Sequence, residues 1–150
     1  MTVLPLDQDT VRVRFNEHIA FKPGKVQLSP DALALVDKLA VSFSRPEVIE
    51  VQVEGHTDDK PMRGGGYSSN WELSAARSMS VFHALAERGV ASSRMIAAGM
   101  GDKHPVAGHP ELDRRVDITL KFRPVTDKNI EKGIIHQMQR PAIAPPKSSF

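Results

Sequence analysis

The sequence contains no cysteine, which excludes disulfide frameworks, cysteine-ligated zinc ribbons and thiol catalysis. It also lacks long apolar runs. Nothing approaches the roughly 20 residues of a membrane span, and residues 1–9 have neither the basic start nor the apolar stretch of a signal peptide. The chain as given is therefore read as soluble, and it is equally compatible with being a piece of a longer, anchored protein. Aromatic residues are sparse at 5%, and neither charge sign dominates, with 20 Lys and Arg against 18 Asp and Glu. What is present is 150 residues, 40% of them hydrophobic. That is one domain's worth of chain, able to hide about two thirds of its unfolded surface.

The pI of 9.0 raises the question of nucleic acid, and the position of the charge answers it. Residues 123–150 carry five bases and two acids, whereas residues 1–122 carry 15 bases and 16 acids. The basicity thus belongs to the tail, whose spread bases form no dense patch. That tail holds Pro124, Pro141, Pro145 and Pro146 and no sustained apolar period. It is expected to be a largely flexible segment with a short helix near residues 130–138. Nucleic acid is not expected as a partner.

Within residues 11–122 the hydrophobic period changes along the chain, the mark of alternating strands and helices. Val11, Val13 and Phe15 alternate with Arg12 and Arg14, predicting a strand with one wet face. Ser29-Pro30-Asp31 supplies an N-cap, a first-turn proline and an acid at the positive helix end. Ala32, Leu35, Val36, Leu39, Ala40 and Phe43 then follow helical spacing as far as Pro46. Ile49, Val51 and Val53 form a second strand pattern ending at Gly55, and a Gly-rich loop follows. Ser69 and Glu72 fit a capping box for a second helix that Gly89 stops. Residues 95–98 and 116–122 complete the strands. The order predicts an α/β (α+β) two-layer sandwich, β-α-β-α-β-β, with a mixed sheet and both helices on one face. Residues 1–10 are left as an N-terminal segment.

Two residues stand out against this frame. Leu73, Arg77, Val81 and Leu85 fall in one row at four-residue steps, so the Arg77 guanidinium starts inside an apolar stripe. It can snorkel off the core edge, pair with a local acid, or reach a ligand at the helix start. Asp58 lies just past the carboxyl end of a strand, where ligands of open α/β sheets usually bind. The loop back to the helix allows Asp58 and Arg77 to face one cleft. Such a pair suits a zwitterion, the carboxylate accepting from an ammonium and the guanidinium forking onto a carboxylate. An internal salt bridge between the two is the competing account.

Val53-Glu54-Gly55-His56-Thr57-Asp58, then Tyr67-Ser68-Ser69-Asn70-Trp71-Glu72-Leu73-Ser74-Ala75-Ala76-Arg77, then Gly99-Met100-Gly101-Asp102 and Arg114-Arg115-Val116-Asp117-Ile118 resemble the OmpA-like peptidoglycan-binding domain. The form with a long loop and Ser-Asn-Trp-Glu-Leu-Ser is similar to the periplasmic domains of flagellar stator proteins of the MotB type. Related domains occur in secretion-system anchors and outer-membrane proteins. The resemblance implies a noncatalytic module that grips the diaminopimelate-containing stem peptide of the cell wall. It implies a periplasmic setting, an anchor in the inner membrane, a homodimer, and a membrane-embedded stator or secretion partner. Carried onto this sequence it places peptidoglycan binding on Asp58 and Arg77, with Thr57, Asn70 and Arg114 beside them. The Phe21-Lys22-Pro23-Gly24 turn departs from outer-membrane members, which often have an acid close to the phenylalanine.

Rival chemistries lack their residues. His56 and Asp58 form a His-x-Asp, yet no His-x3-His or His-Glu-x-x-His spacing accompanies it, and no Gly-x-Ser-x-Gly elbow is present. Gly99-Met100-Gly101 and Gly64-Gly65-Gly66 continue as neither a dinucleotide fingerprint nor a Walker motif. No enzyme activity, metal or cofactor is expected.

Overall fold

The computed structural model describes residues 1–61, 66–124 and 135–139. Its elements in chain order are β1 (Thr2–Pro5), β2 (Thr10–Asn16), the single turn α1 (Glu17–Ala20), α2 (Pro30–Phe43), β3 (Val48–His56), α3 (Asn70–Glu87), β4 (Met95–Gly99) and β5 (Arg115–Phe122). The five strands form one mixed sheet in the order β1-β2-β5-β3-β4. Strand β5 is antiparallel to both β2 and β3, which therefore run the same way, and β4 is parallel to β3. This is the expected two-layer arrangement. None of the helices among the described residues is long and apolar enough to cross a membrane.

Local chemistry explains the elements. Ser29 caps α2 by accepting from the Ala32 amide at 3.0 Å, with Pro30 at the first helical position. Ser69 caps α3 by accepting from the Glu72 amide at 3.3 Å. The returning Glu72 carboxylate takes the Ser68 amide at 2.9 Å, one residue earlier than the capping-box reading places it. Val11, Val13 and Phe15 of β2, Val51 and Val53 of β3, and Val116, Ile118, Leu120 and Phe122 of β5 are buried with Val36, Leu39 and Phe43 of α2 and Val81 and Leu85 of α3. Both helices thus pack on one sheet face. The other face carries Arg12, Arg14, Glu50, Gln52 and Glu54 at the alternate positions.

Two pieces lie outside the sequence pattern. Residues 1–10 add the edge strand β1, paired antiparallel to β2 from Thr2 opposite Arg14 to Pro5 opposite Val11. Four residues are too few to show a period, and Pro5 is tolerated because the strand is at an edge. In the tail, residues 135–139 are helical, Met138 is buried with the core, and the Gln137 side chain accepts from Arg45 at 3.0 Å. The remainder of the tail beyond Pro124, and so most of its expected flexibility, lies outside the described residues.

Helix α3 approaches the sheet with no clearance. A Cβ at Gly55 would overlap the Ser74 carbonyl, and one at Gly99 would lie 2.6 Å from the Ala75 amide nitrogen. Backbone stands on both sides of these contacts, so a methyl group has nowhere to go. Gly55→Ala is expected to destabilise the domain by about 1–3 kcal/mol or more. Urea unfolding checks this, with a lower midpoint at an unchanged slope.

Candidate functional site

Because β5 runs opposite to its neighbours, the carboxyl ends of β2 and β3 meet the amino end of β5 at one edge of the molecule. Glu17 directly follows β2, Asp58 lies two residues past β3, and Arg114 immediately precedes β5. The Glu17 amide donates to the Arg114 carbonyl at 3.0 Å, which ties two of these ends together. Helix α3 starts at the same edge and brings Arg77 in from its buried row, where Leu73, Arg77, Val81 and Leu85 are all buried.

Arg77 is only 3% exposed and its charge is compensated inside the protein. Its Nη1 donates to Glu17 Oε1 at 2.6 Å, and its Nε and Nη2 both donate to the Lys25 carbonyl at 3.2 and 3.1 Å. The guanidinium also lies over the Phe21 ring, 4.7 Å from its centroid. Gly24, at φ +65°, makes the turn that points the Lys25 carbonyl inward.

Glu17 serves a second guanidinium. Arg114 Nη2 donates to the same Oε1 at 2.6 Å, and its Nε pairs with Oε2. Arg114 Nη1 in turn lies 3.6 Å from Asp58 Oδ2. Burial works against the Glu17 carboxylate, but the hydrogen bonds from Arg114 and Arg77, with their charges, outweigh it and hold the carboxyl below its ordinary value. The Arg114 guanidinium is correspondingly pushed up, first by its hydrogen bonding to Glu17. Two carboxylates and two guanidinia form one chain, Asp58 to Arg114 to Glu17 to Arg77, of net charge zero. Its outer end is accessible: the Arg114 side chain is 44% exposed and that of Asp58 18%. Glu17, His18, Phe21, Lys22, Pro23, Gly24 and Arg114 line an adjoining pocket of about 320 Å³.

The expected site residues converge, in an order the sequence did not reveal. Asp58 and Arg77 face the same edge without pairing directly; Glu17 and Arg114 stand between them. Asn70 fixes the loop, its side-chain amide donating to the carbonyls of Asp58 at 3.3 Å and Lys60 at 2.8 Å. Thr57 is buried, with its hydroxyl on the Asp58 carbonyl at 3.0 Å and its amide on the Gly101 carbonyl at 2.8 Å. Glu17 is the residue that the sequence reading missed. It stands at the end of β2, four residues before Phe21.

The other half of the basic pair points away. Arg115 donates to Asp117 at 3.0 Å and to the carbonyls of Leu112 and His104, on the sheet face without helices. Asp117 is completely buried there and also receives Arg14 at 2.8 and 3.1 Å. His56 belongs to this cluster, 3.3 Å from Glu54 and 3.8 Å from Asp117, and edge-on to His104. It therefore makes no acid-base pair with Asp58. Among the described residues no group of three His, Asp or Glu side chains converges as metal ligands.

Comparison with known proteins agrees with this fold. The sequence pattern of the OmpA family matches residues 20–119. YtxE of Bacillus subtilis, an uncharacterised protein, is 34% identical over 127 residues, covering 80% of this chain and 52% of YtxE. The chain spans roughly half or less of the length of the curated relatives it matches. A putative MotB-like protein from Desulfovibrio vulgaris superposes with a TM-score of 0.73 at 27% identity, covering 81% of each chain. The cell wall anchor of the T6SS from Pseudomonas aeruginosa gives 0.70 at 28% identity, covering 81% of this chain and 87% of its own.

Glu17 contributes stability with a definite pH signature. Its folded pKa is depressed, so its contribution is full above the unfolded carboxylate range and is lost as pH falls through the lowered folded value. Glu17→Gln is expected to cost about 1–3 kcal/mol at neutral pH, since it leaves a donor of buried Arg77 without its charged acceptor. The variant should also lose less stability than the parent on acidification, and the gap between them should narrow. Urea titrations at pH 7 and pH 3 read both effects.

Proposed function

Because this chain belongs to the OmpA family, we propose that its domain is a noncatalytic module that binds cell-wall peptidoglycan and anchors an envelope assembly to it. The observation that carries the reading is the neutral chain of Asp58, Arg114, Glu17 and Arg77 at the open sheet edge. Alternating carboxylates and guanidinia complement a group that bears an ammonium and a carboxylate on one carbon, as the diaminopimelate side chain of a stem peptide does. Asp58 accepts from the ligand ammonium, and Arg114, the exposed guanidinium, meets the carboxylate first. Arg77 forks onto that carboxylate once Glu17 shares or yields its Nη1 contact. Asn70 and Thr57 hold the Asp58 loop in place.

We assign the module to residues 11–122, flanked by residues 1–10, which add strand β1 to its sheet, and by residues 123–150, whose Met138 packs on its core, and we place it in the periplasm. A flagellar stator is the assembly favoured by the likeness to a MotB-like protein, and a secretion-system anchor stands second through the likeness to the T6SS wall anchor. In either setting the module is carried by a segment anchored in the inner membrane and works as a homodimer, so that two sites engage one wall.

Co-sedimentation with purified sacculi tests the reading. Asp58→Ala and Arg114→Ala remove one charged contact each from the exposed end and are expected to weaken binding by roughly tenfold or more. Arg77→Ala should abolish it, with circular dichroism reporting whether the fold survives. Unchanged sedimentation of the Asp58 and Arg114 variants would sink the proposal and leave a docking domain with a vestigial wall site.

A further inference from the structure

Trp71 is the only tryptophan in the chain and is 45% exposed on the first turn of α3. The ring is not loose. It lies against Gly101, where φ is +56° and an added Cβ would sit 2.9 Å from two ring carbons. Gly101 is itself pinned, its amide donating to Ser74 Oγ at 3.1 Å and its carbonyl accepting from the Thr57 amide at 2.8 Å. Through Thr57 the indole is held in fixed relation to Asp58, the next residue along.

Sheet order turns this into a spatial series. At the site end the neighbouring strands are β2, β5, β3 and β4, whose ends carry Glu17, Arg114, Asp58 and the Gly101 turn under Trp71. Adjacent strands are about 4.8 Å apart, so the Trp71 turn lies about 10 Å from the Arg114 strand end and about 15 Å from that of Glu17. One straight edge therefore presents a charged half and, beside it, a flat apolar plate. The Lys103 ammonium lies over that ring, 5.7 Å from its centroid.

We propose that Trp71 and Lys103 form a saccharide subsite that receives the glycan of the same wall strand whose peptide the charged residues hold. This rests on the peptidoglycan reading above and extends it from the peptide to the sugar. A pyranose has a face of C–H bonds that stacks on a rigid aromatic ring, and its hydroxyl and acetamido oxygens accept from an ammonium that swings off the ring as the sugar arrives. In a wall polymer the stem peptide is attached directly to its sugar, so a site for one has the other within about 10–15 Å, the length of this edge. The competing account makes Trp71 a mere cover for the Gly101 turn. An aliphatic side chain would serve that purpose and would leave less aromatic surface in water.

The single tryptophan makes the test direct. Two probes are used on the full chain: the free tripeptide L-alanyl-D-glutamyl-diaminopimelate, and the same tripeptide on its N-acetylglucosaminyl-N-acetylmuramyl disaccharide. The disaccharide tripeptide is expected to bind roughly tenfold tighter by calorimetry and to shift the tryptophan emission, which the free tripeptide leaves unchanged. Trp71→Phe should keep most of that preference. Trp71→Leu, which still covers Gly101, should reduce it to about one while free-tripeptide affinity stays within about twofold. A preference that survives Trp71→Leu, or emission that follows protein concentration rather than sugar, overturns the subsite, the latter making Trp71 a protein contact. If the free tripeptide fails to bind while the disaccharide tripeptide still shifts the emission, the charged-site reading falls and the saccharide subsite stands.

Discussion

The arrangement depends on one steric constraint: α3 lies directly on β3 and β4, backbone against backbone, at Gly55 and Gly99. With no side chains between them, the helix can neither slide nor rotate without collision. Everything that α3 carries is thereby positioned. Ser74 faces the Gly101 amide, Trp71 lies on Gly101, and Arg77, one turn past Leu73, is driven inward to the edge where β2, β5 and β3 end. A helix standing off by the width of a methyl group would leave Arg77 at the core boundary, free to snorkel, and the edge would have no fixed cation.

A cation placed this way creates an electrostatic demand that the strand ends satisfy. An unpaired guanidinium at this depth would be destabilising, so each of its donors needs an acceptor. Glu17 and the Lys25 carbonyl supply them, and Glu17 also takes Arg114, which links the start of β5 to the end of β2. The opposite sheet face uses the same device. Buried Asp117 on β5 takes Arg14 from β2 and Arg115 from its own strand. Burial opposes ionisation there, yet the hydrogen bonds and charges of the two arginines keep the carboxyl below its ordinary value. One shared carboxylate on each side thus locks β2 to β5. The two differ in access: Asp117 is sealed, whereas the Glu17 cluster opens to solvent through Arg114 and Asp58.

The two long helices and four of the five strands were legible because their information is local. Ser29 and Ser69 cap helices by contacts within three residues, and the row from Leu73 to Leu85 exposes Arg77 as an anomaly on a helical wheel. The position of Asp58 at the open edge was legible from topology, since strand ends are where loops gather. Glu17 was not. Its role arises from residues 60 and 97 positions away in sequence, and nothing within its own segment separates it from an ordinary exposed acid after a strand. Strand β1 escaped for a related reason, because four residues carry no period and its pairing is decided by β2. The split of the Arg114-Arg115 pair follows from strand geometry once β5 is known to begin at Arg115: successive side chains point to opposite faces. One arginine serves the open edge, the other the sealed cluster.

The internal compensation also shapes how such a site works. A ligand carboxylate approaching Arg77 finds its Nη1 donor already bonded to Glu17 and two further donors on the Lys25 carbonyl. Binding is therefore an exchange of one set of charge-assisted hydrogen bonds for another, and only the difference appears as affinity. The neutral quartet has no long-range field with which to draw a ligand in, so association gains little from steering. Both effects favour a contact that is selective in geometry and modest in strength. For the proposed anchor on a wall polymer this would be workable, because the wall repeats its units and a tethered pair of modules would multiply weak contacts through effective concentration. The same exchange sharpens discrimination. On the proposed reading, a ligand with only a carboxylate would have to displace Glu17 and offer nothing back to it, whereas one that also carries an ammonium would give Glu17 and Asp58 a new partner as it takes the arginines.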